Sequence, residues 1–152
     1  MDIATFLWFD GHAEEAAEFY TGTFPDSRIL SVHRTHVGGP VMTVAFELRG
    51  QRFVAFNGGP QFSFTGAISL YVACGSQAEL DAVWAGLVDG GHEGPGGSLV
   101  DRFGVTWQVM PTVLDELLQD ADPVVADRIL SAVHASTKID IQELVDAGGQ
   151  PA

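Results

Sequence analysis

A chain of 152 residues with 46% hydrophobic composition can bury a sizeable core, and 18 glycines and seven prolines scattered among apolar runs mark many turns rather than disorder. The formal net charge of −13, from 20 acidic against 7 basic residues, repels phosphate backbones and anionic lipid surfaces, and so speaks against nucleic-acid and membrane partners. A single Cys74 cannot close an internal disulfide, no basic stretch precedes an apolar leader-like run, and no apolar run reaches spanning length, so the expectation is an acidic cytoplasmic protein.

The first element is a strand leading into a helix, FLWFDGHAEEAAEFY (Phe6 to Tyr20). Apolar residues give way at Asp10-Gly11 to a helical pattern with Ala13, Ala16, Ala17 and Tyr20 on one side and Glu14, Glu15 and Glu18 on the rest. Phe24-Pro25-Asp26 breaks the helix. A strand with polar interruptions follows from Ser27 to Val37, then a turn at Gly38-Gly39-Pro40, and then the β-prone run Val41 to Leu48. Arg49-Gly50-Gln51 reads as a hairpin turn and Arg52 to Phe56 as the returning strand, which gives β-α-β-β-β up to Asn57-Gly58-Gly59-Pro60.

The stretch SLYVACGSQAELDAVW (Ser69 to Trp84) repeats the plan, with Gly75, Glu79 and Trp84 each 64 residues after Gly11, Glu15 and Tyr20 (75 − 11, 79 − 15, 84 − 20). Ser76 and Glu79 carry a capping-box signature for a helix running to about Val88. Pairing between Glu93 and Val100 is the weakest signal of this module. Val105 to Met110 reads as its last strand, stopped by Pro111. The tail is helical: Leu114, Leu117 and Leu118; then Asp122-Pro123 opening a helix with Val125, Ile129, Leu130 and Val133 on one face; then a short helix led by Asp140, with a frayed end over Gly148 to Ala152. These helices carry too few apolar groups to fold alone, so they are expected to lie on a sheet or a partner subunit.

The segments FLWFDGHAEEAAEFY, FVAFNGGPQFSFTGAISLYVAC, DRFGVTWQVMP and DRILSAVHASTKIDI resemble the PhnB-like proteins, often labelled demethylubiquinone methyltransferase-like, of the glyoxalase, bleomycin-resistance and dioxygenase group (the vicinal oxygen chelate superfamily). The likeness covers nearly the whole chain, and NGGP and DRFGVTWQ are its most specific parts. It implies an α+β fold: one glyoxalase-like domain over 1–152 made of two βαβββ modules (1–58 and 66–111) and a helical tail (112–148), usually as a homodimer. The superfamily hosts isomerases, dioxygenases, thiol transferases and drug-binding proteins, so the resemblance leaves the activity open. Many relatives carry a Cys-Gly-Trp turn where this chain has Gly96-Gly97-Ser98-Leu99, so no role of that cysteine carries over.

Metal-dependent members of the superfamily place ligands on the first and last strand of each module. That pattern falls here on Ala4, Asn57, Ala67 and Gln108, two residues without a side-chain lone pair and two weak amide ligands, which points to a metal-free pocket with no cofactor. All five histidines, His12, His33, His36, His92 and His134, read first as surface residues, and His33, mid-strand, is the best placed of them. No nucleophile elbow occurs, no G-x-G loop joins a strand to a helix, and Cys74 reads as a buried small hydrophobe.

Strand alternation completes the reading. With Leu7 and Phe9 under the first helix, Phe6 and Trp8 face the other way. With Leu70 and Val72 under the second helix, so do Ser69 and Tyr71, and Thr106 and Gln108 share one face of the last strand. Together with His33 and Asn57 these residues are the expected lining for a flat, partly apolar small molecule, against the alternative that the aromatics only fill a core. The function expected is small-molecule binding of the glyoxalase and bleomycin-resistance type. A metal-independent lyase or isomerase, with His33 or Asn57 polarising a carbonyl, is the alternative, and a dimeric scaffold with a vestigial pocket is the third.

Overall fold

The computed structural model describes residues 1–149. The chain forms two compact units, Met1–Phe64 and Thr65–Ala152. Each carries the order β-α-β-β-β, and three more helices follow, so the architecture is the α+β pair of modules with a helical tail that the sequence predicts.

The first unit contains β1 (Thr5–Phe9), α1 (Ala13–Thr23), β2 (Ser27–Arg34), β3 (Val41–Leu48) and β4 (Gln51–Asn57), in the sheet order β1-β4-β3-β2. Strands β1 and β4 run parallel and the other pairs antiparallel. Helix α1 sits on one sheet face because its buried stripe is small: Ala13, Ala16, Ala17 and Tyr20 are wholly buried, over Leu7, Phe9, Val44, Phe46, Phe53 and Ala55. Alanines bring the helix backbone close to the sheet, and Tyr20, Phe46 and Phe53 fill the space beyond, with Phe46 and Phe53 stacked at 5.1 Å. Full burial of each such aromatic is worth about 2–3 kcal/mol. Strand β2 stops at Arg34, short of the Val37 expected, because the amide of Thr35 donates to the Pro40 carbonyl and that of Gly39 to His36, closing a turn. The β3–β4 hairpin turns in two residues, Arg49 and Gly50, both at positive φ (48° and 89°), as a tight hairpin following the sheet twist requires.

The second unit contains β5 (Leu70–Cys74), α2 (Gln77–Val88), β6 (His92–Glu93), β7 (Ser98–Val100) and β8 (Thr106–Pro111), in the order β5-β8-β7-β6. Leu80, Val83, Trp84 and Leu87 of α2 are buried, as are Leu99, Trp107 and Val109 of the sheet. The weak strand signal between Glu93 and Val100 resolves into two short paired strands. Pro111 is the last paired residue of β8 rather than a stop outside it.

The tail forms α3 (Val113–Gln119), α4 (Pro123–Ala135) and α5 (Ile141–Gly149), and it docks within its own unit. Gly96 and Gly97 donate to the Ser136 and Thr137 carbonyls at 2.7 and 2.9 Å, and the Gln77 amide donates to the Ile139 carbonyl and accepts from the Ile141 amide. Lys138 pairs with Asp81. Ile129, Val133, Ile139 and Leu144 are buried by this docking. Gly148 and Gly149 belong to α5 instead of a frayed end, while 150–152 lie outside the described residues.

The repeat is offset by one residue at its turn. Helix starts Ala13 and Gln77 are 64 apart (77 − 13), as Gly11 and Gly75 suggest. Strand ends Phe9 and Cys74 are 65 apart (74 − 9), and their carbonyls accept from equivalent amides, Gly58 and Thr112. The first turn has three residues and the second has two.

Candidate functional site

Cross-strand register decides which side chains share a face. On the face of the first sheet away from α1, Trp8, Phe56, Thr43 and His33 stand in one row across all four strands. The next row is Phe6, Val54, Ala45 and Ser31, and the one beyond contains Arg52, Glu47 and Arg28. A bulge between Ile29 and Ser31 resets the alternation of β2, which is why His33 ends up on this face.

The aromatics there form one cluster. Trp8 packs edge-on against Phe56 at 4.8 Å and Phe62 at 5.0 Å, and Phe6 lies 5.7 Å from Phe56. The Trp8 indole N–H donates to the Gly59 carbonyl at 2.9 Å, and its ring lies against Gly58, where an added Cβ would come within 2.1 Å of it. So the glycines of NGGP hold Trp8 in place. Phe6 is 57% exposed and Phe62 66%, an unusual state for contiguous phenylalanines. Phe56 and Phe62 were not among the expected lining. The register that puts Phe56 beside Trp8 cannot be read without knowing the strand pairing, although the FNGGPQF segment that holds both was a visible marker.

Asn57 does not join this cluster. It is paired with Phe9, on the α1 side, where its carbonyl accepts from the Ala13 amide at 2.9 Å and its NH2 donates to the Val41 carbonyl at 3.1 Å. His12 provides no side-chain cap, and Asn57 on the neighbouring strand β4 caps α1 in its place. It also borders an open recess of about 450 Å³ lined by Gly11, Glu14, Arg34, Thr35, Pro40, Val41 and Met42, in which Arg34 pairs with Glu14 at 3.5 Å.

In the second unit, Tyr71, Gln108 and Ser98 form a row on the face away from Leu70, Leu99 and Trp107. Gln108 donates to the Ser69 hydroxyl at 3.5 Å, and Thr106 shares the face of Gln108. Burial, then the charge of Asp115 and then Cys74, push the Tyr71 phenol above its ordinary value. Cys74 is wholly buried, and burial followed by the Glu79 carboxylate raises its thiol to about 11, which keeps it protonated and unreactive. Asp101 of the DRFG segment is a structural acceptor: it takes the amides of Phe103 and Val105 and the Trp107 indole N–H at 2.8 Å.

The four positions at which metal-dependent relatives place ligands are unlike one another here. Ala4 precedes β1, Ala67 lies in a loop, Asn57 faces α1 and Gln108 faces away from α2. Among the described residues no three His, Cys, Asp or Glu side chains gather where they could hold a metal ion.

Comparison with known proteins adds the family. Residues 1–110 match the model of the 3-demethylubiquinone-9 3-methyltransferase family. A Bacillus cereus PhnB protein that carries the same methyltransferase description is 36% identical, with a TM-score of 0.67 over 74% of this chain and all of that one. A Pseudomonas aeruginosa protein shares the fold at 21% identity, with a TM-score of 0.60 over 73% of this chain and 97% of that one. A glyoxylase/bleomycin resistance protein/dioxygenase domain from Frankia is matched more weakly, at 14% identity and a TM-score of 0.48 over 73% and 91%. No curated protein is significantly similar.

Each strand-to-helix turn of the modules is two or three residues long without a G-x-G, and the helix starts are already filled: Asn57 takes the Ala13 amide, Ser76 the Glu79 amide, and Glu79 the Gly75 amide. These turns do not fit an adenosyl methyl donor. The match over most of the length, the 36% identity to the Bacillus cereus protein and the paired βαβββ order agree, and the chain belongs to the PhnB-like 3-demethylubiquinone-9 3-methyltransferase family.

Proposed function

We propose that this protein binds a flat, partly apolar small molecule, without a metal or other cofactor, on the open face of the first sheet. The observation that carries the reading is the contiguous aromatic surface of Phe6, Trp8, Phe56 and Phe62, exposed on one side and held on the other by the NGGP glycines. A side chain pinned in place by its neighbours and open to solvent suits stacking, because little entropy is lost when a ligand arrives. His33 and Thr43 place polar groups at the end of the Trp8 row. Ser69, Tyr71, Thr106 and Gln108 are the proposed ligand-facing set of the second module, and Asn57 serves by holding α1.

Whole-chain readings accompany this one: a single domain over 1–152, a cytoplasmic setting suited to the lone buried Cys74, and a homodimer that covers open sheet edges. No helix among the described residues is long and apolar enough to cross a membrane. One observation favours a second reading, a metal-independent lyase or isomerase: His33 shares the row of Trp8 and could polarise the carbonyl of a bound molecule.

A thermal-shift screen of aromatic antibiotics, quinones and short aldehydes tests the proposal, since a ligand of the folded state raises Tm by mass action. Hits that Phe6→Ser weakens support binding at this face, and the absence of any hit across the three classes counts against it. Turnover of a hit that His33→Ala abolishes would move the protein to the enzymatic reading.

A further inference from the structure

The charge on the open face of the first sheet runs against the rest of the molecule. The chain carries 20 acidic and 7 basic residues. On the strands of this face stand Arg28, Arg52 and His33, and Glu47 is the one strand carboxylate there. Glu47 sits opposite Arg52 in register, but the ion pair it makes is with Arg28, at 3.5 Å. Among the described residues the Arg52 guanidinium makes no ion pair, and the residue is exposed.

Arg52 adjoins the aromatic cluster. Phe6 is the register partner of Val54, two residues along β4 from Arg52. One strand across and two residues along amounts to about 8 Å between backbones, within reach of an arginine side chain. We propose that the ligand of this face is an aromatic anion, a fused or substituted ring bearing a carboxylate or acidic phenol. The ring stacks on Phe6 and Trp8, and the anionic group takes the fork of Arg52. This inference rests on the reading of the face as a small-molecule site and names the ligand class. A planar carboxylate meets the guanidinium through two parallel hydrogen bonds, which an alcohol or amine of the same shape cannot do.

The test uses three probes of one shape, 2-naphthoate, 2-naphthylmethanol and 2-naphthylmethylammonium, titrated calorimetrically into the wild-type protein and into Arg52→Gln and Phe6→Ser, both at exposed positions. The expected result is that naphthoate binds at least about tenfold more tightly than the alcohol, as one charge-assisted pair supplies. Arg52→Gln should bring the two within about twofold, and Phe6→Ser should weaken both together. Equal binding of naphthoate and the alcohol, or a preference for the ammonium probe, overturns the anion assignment while leaving the site in place. No binding of any probe, or binding that Phe6→Ser leaves unchanged, overturns the site as well.

Discussion

Gly58 has no room for a side chain, and that one position links the loop to the aromatic surface. An alanine there would place its Cβ 2.1 Å from the Trp8 ring, so either the indole or the backbone has to move. Gly58→Ala should lose about 2–3 kcal/mol in urea denaturation, with a shift in Trp8 fluorescence. Asn57→Ala should cost about 1–2 kcal/mol through the lost cap of α1 while leaving ligand binding on the opposite face within twofold of wild type, roughly the scale of a cap alone. Cys74 makes a pH prediction. Its thiol ionises near 9.0 when free and at about 11 when folded. Between those values the unfolded chain holds fewer protons than the native one, so stability falls as pH rises, by on the order of 2 kcal/mol. Denaturation midpoints at pH 7, 9 and 10.5 should show this decline in the wild type and a smaller one in Cys74→Ala. An identical decline in both would remove Cys74 as its cause.

At the scale of elements, the helices and strands were legible because their periodicities are clean: alanines and Tyr20 on one side of α1, and alternation in β3. Faces were legible only where a strand is regular. Phe6 and Trp8 oppose Leu7 and Phe9 as alternation predicts, but the bulge in β2 resets His33, and Asn57 falls on the α1 side by its pairing with Phe9. A bulge depends on two strands at once, so one segment cannot reveal it. The one-residue offset between turn and strand was hidden for the same reason, since Gly11 and Gly75 align while Phe9 and Cys74 do not. The tail showed its helices but not its anchor. Gln77 carries part of that anchor by bonding Ile139 and Ile141, beside the Gly96 and Gly97 bonds to Ser136 and Thr137, and Gln77→Ala should raise amide exchange across α4 and α5 while β1 to β4 keep their protection. Unchanged exchange in α5 would show that the Gly96 and Gly97 bonds and the burial of Ile139 and Leu144 hold the tail without the Gln77 clip.

For the whole molecule, the net charge of −13 describes the surface at large and conceals one exposed arginine, Arg52, beside the exposed ring of Phe6. Composition speaks against nucleic acid but could not locate Arg52, because its neighbours come from strands that are separate in sequence. The proposed homodimer predicts a light-scattering mass near twice that of one 16.2 kDa chain at micromolar concentration, and a monomer there would contradict it. The most direct measurement of the central claim uses the three tryptophans, whose indole N–H groups have three different acceptors: the Gly59 carbonyl for Trp8, Glu93 for Trp84 and Asp101 for Trp107. In a nitrogen-proton correlation spectrum, titration with 2-naphthoate should shift the Trp8 indole signal and leave those of Trp84 and Trp107 in place. A ligand that binds while Trp8 stays still and either of the other two moves would contradict the account.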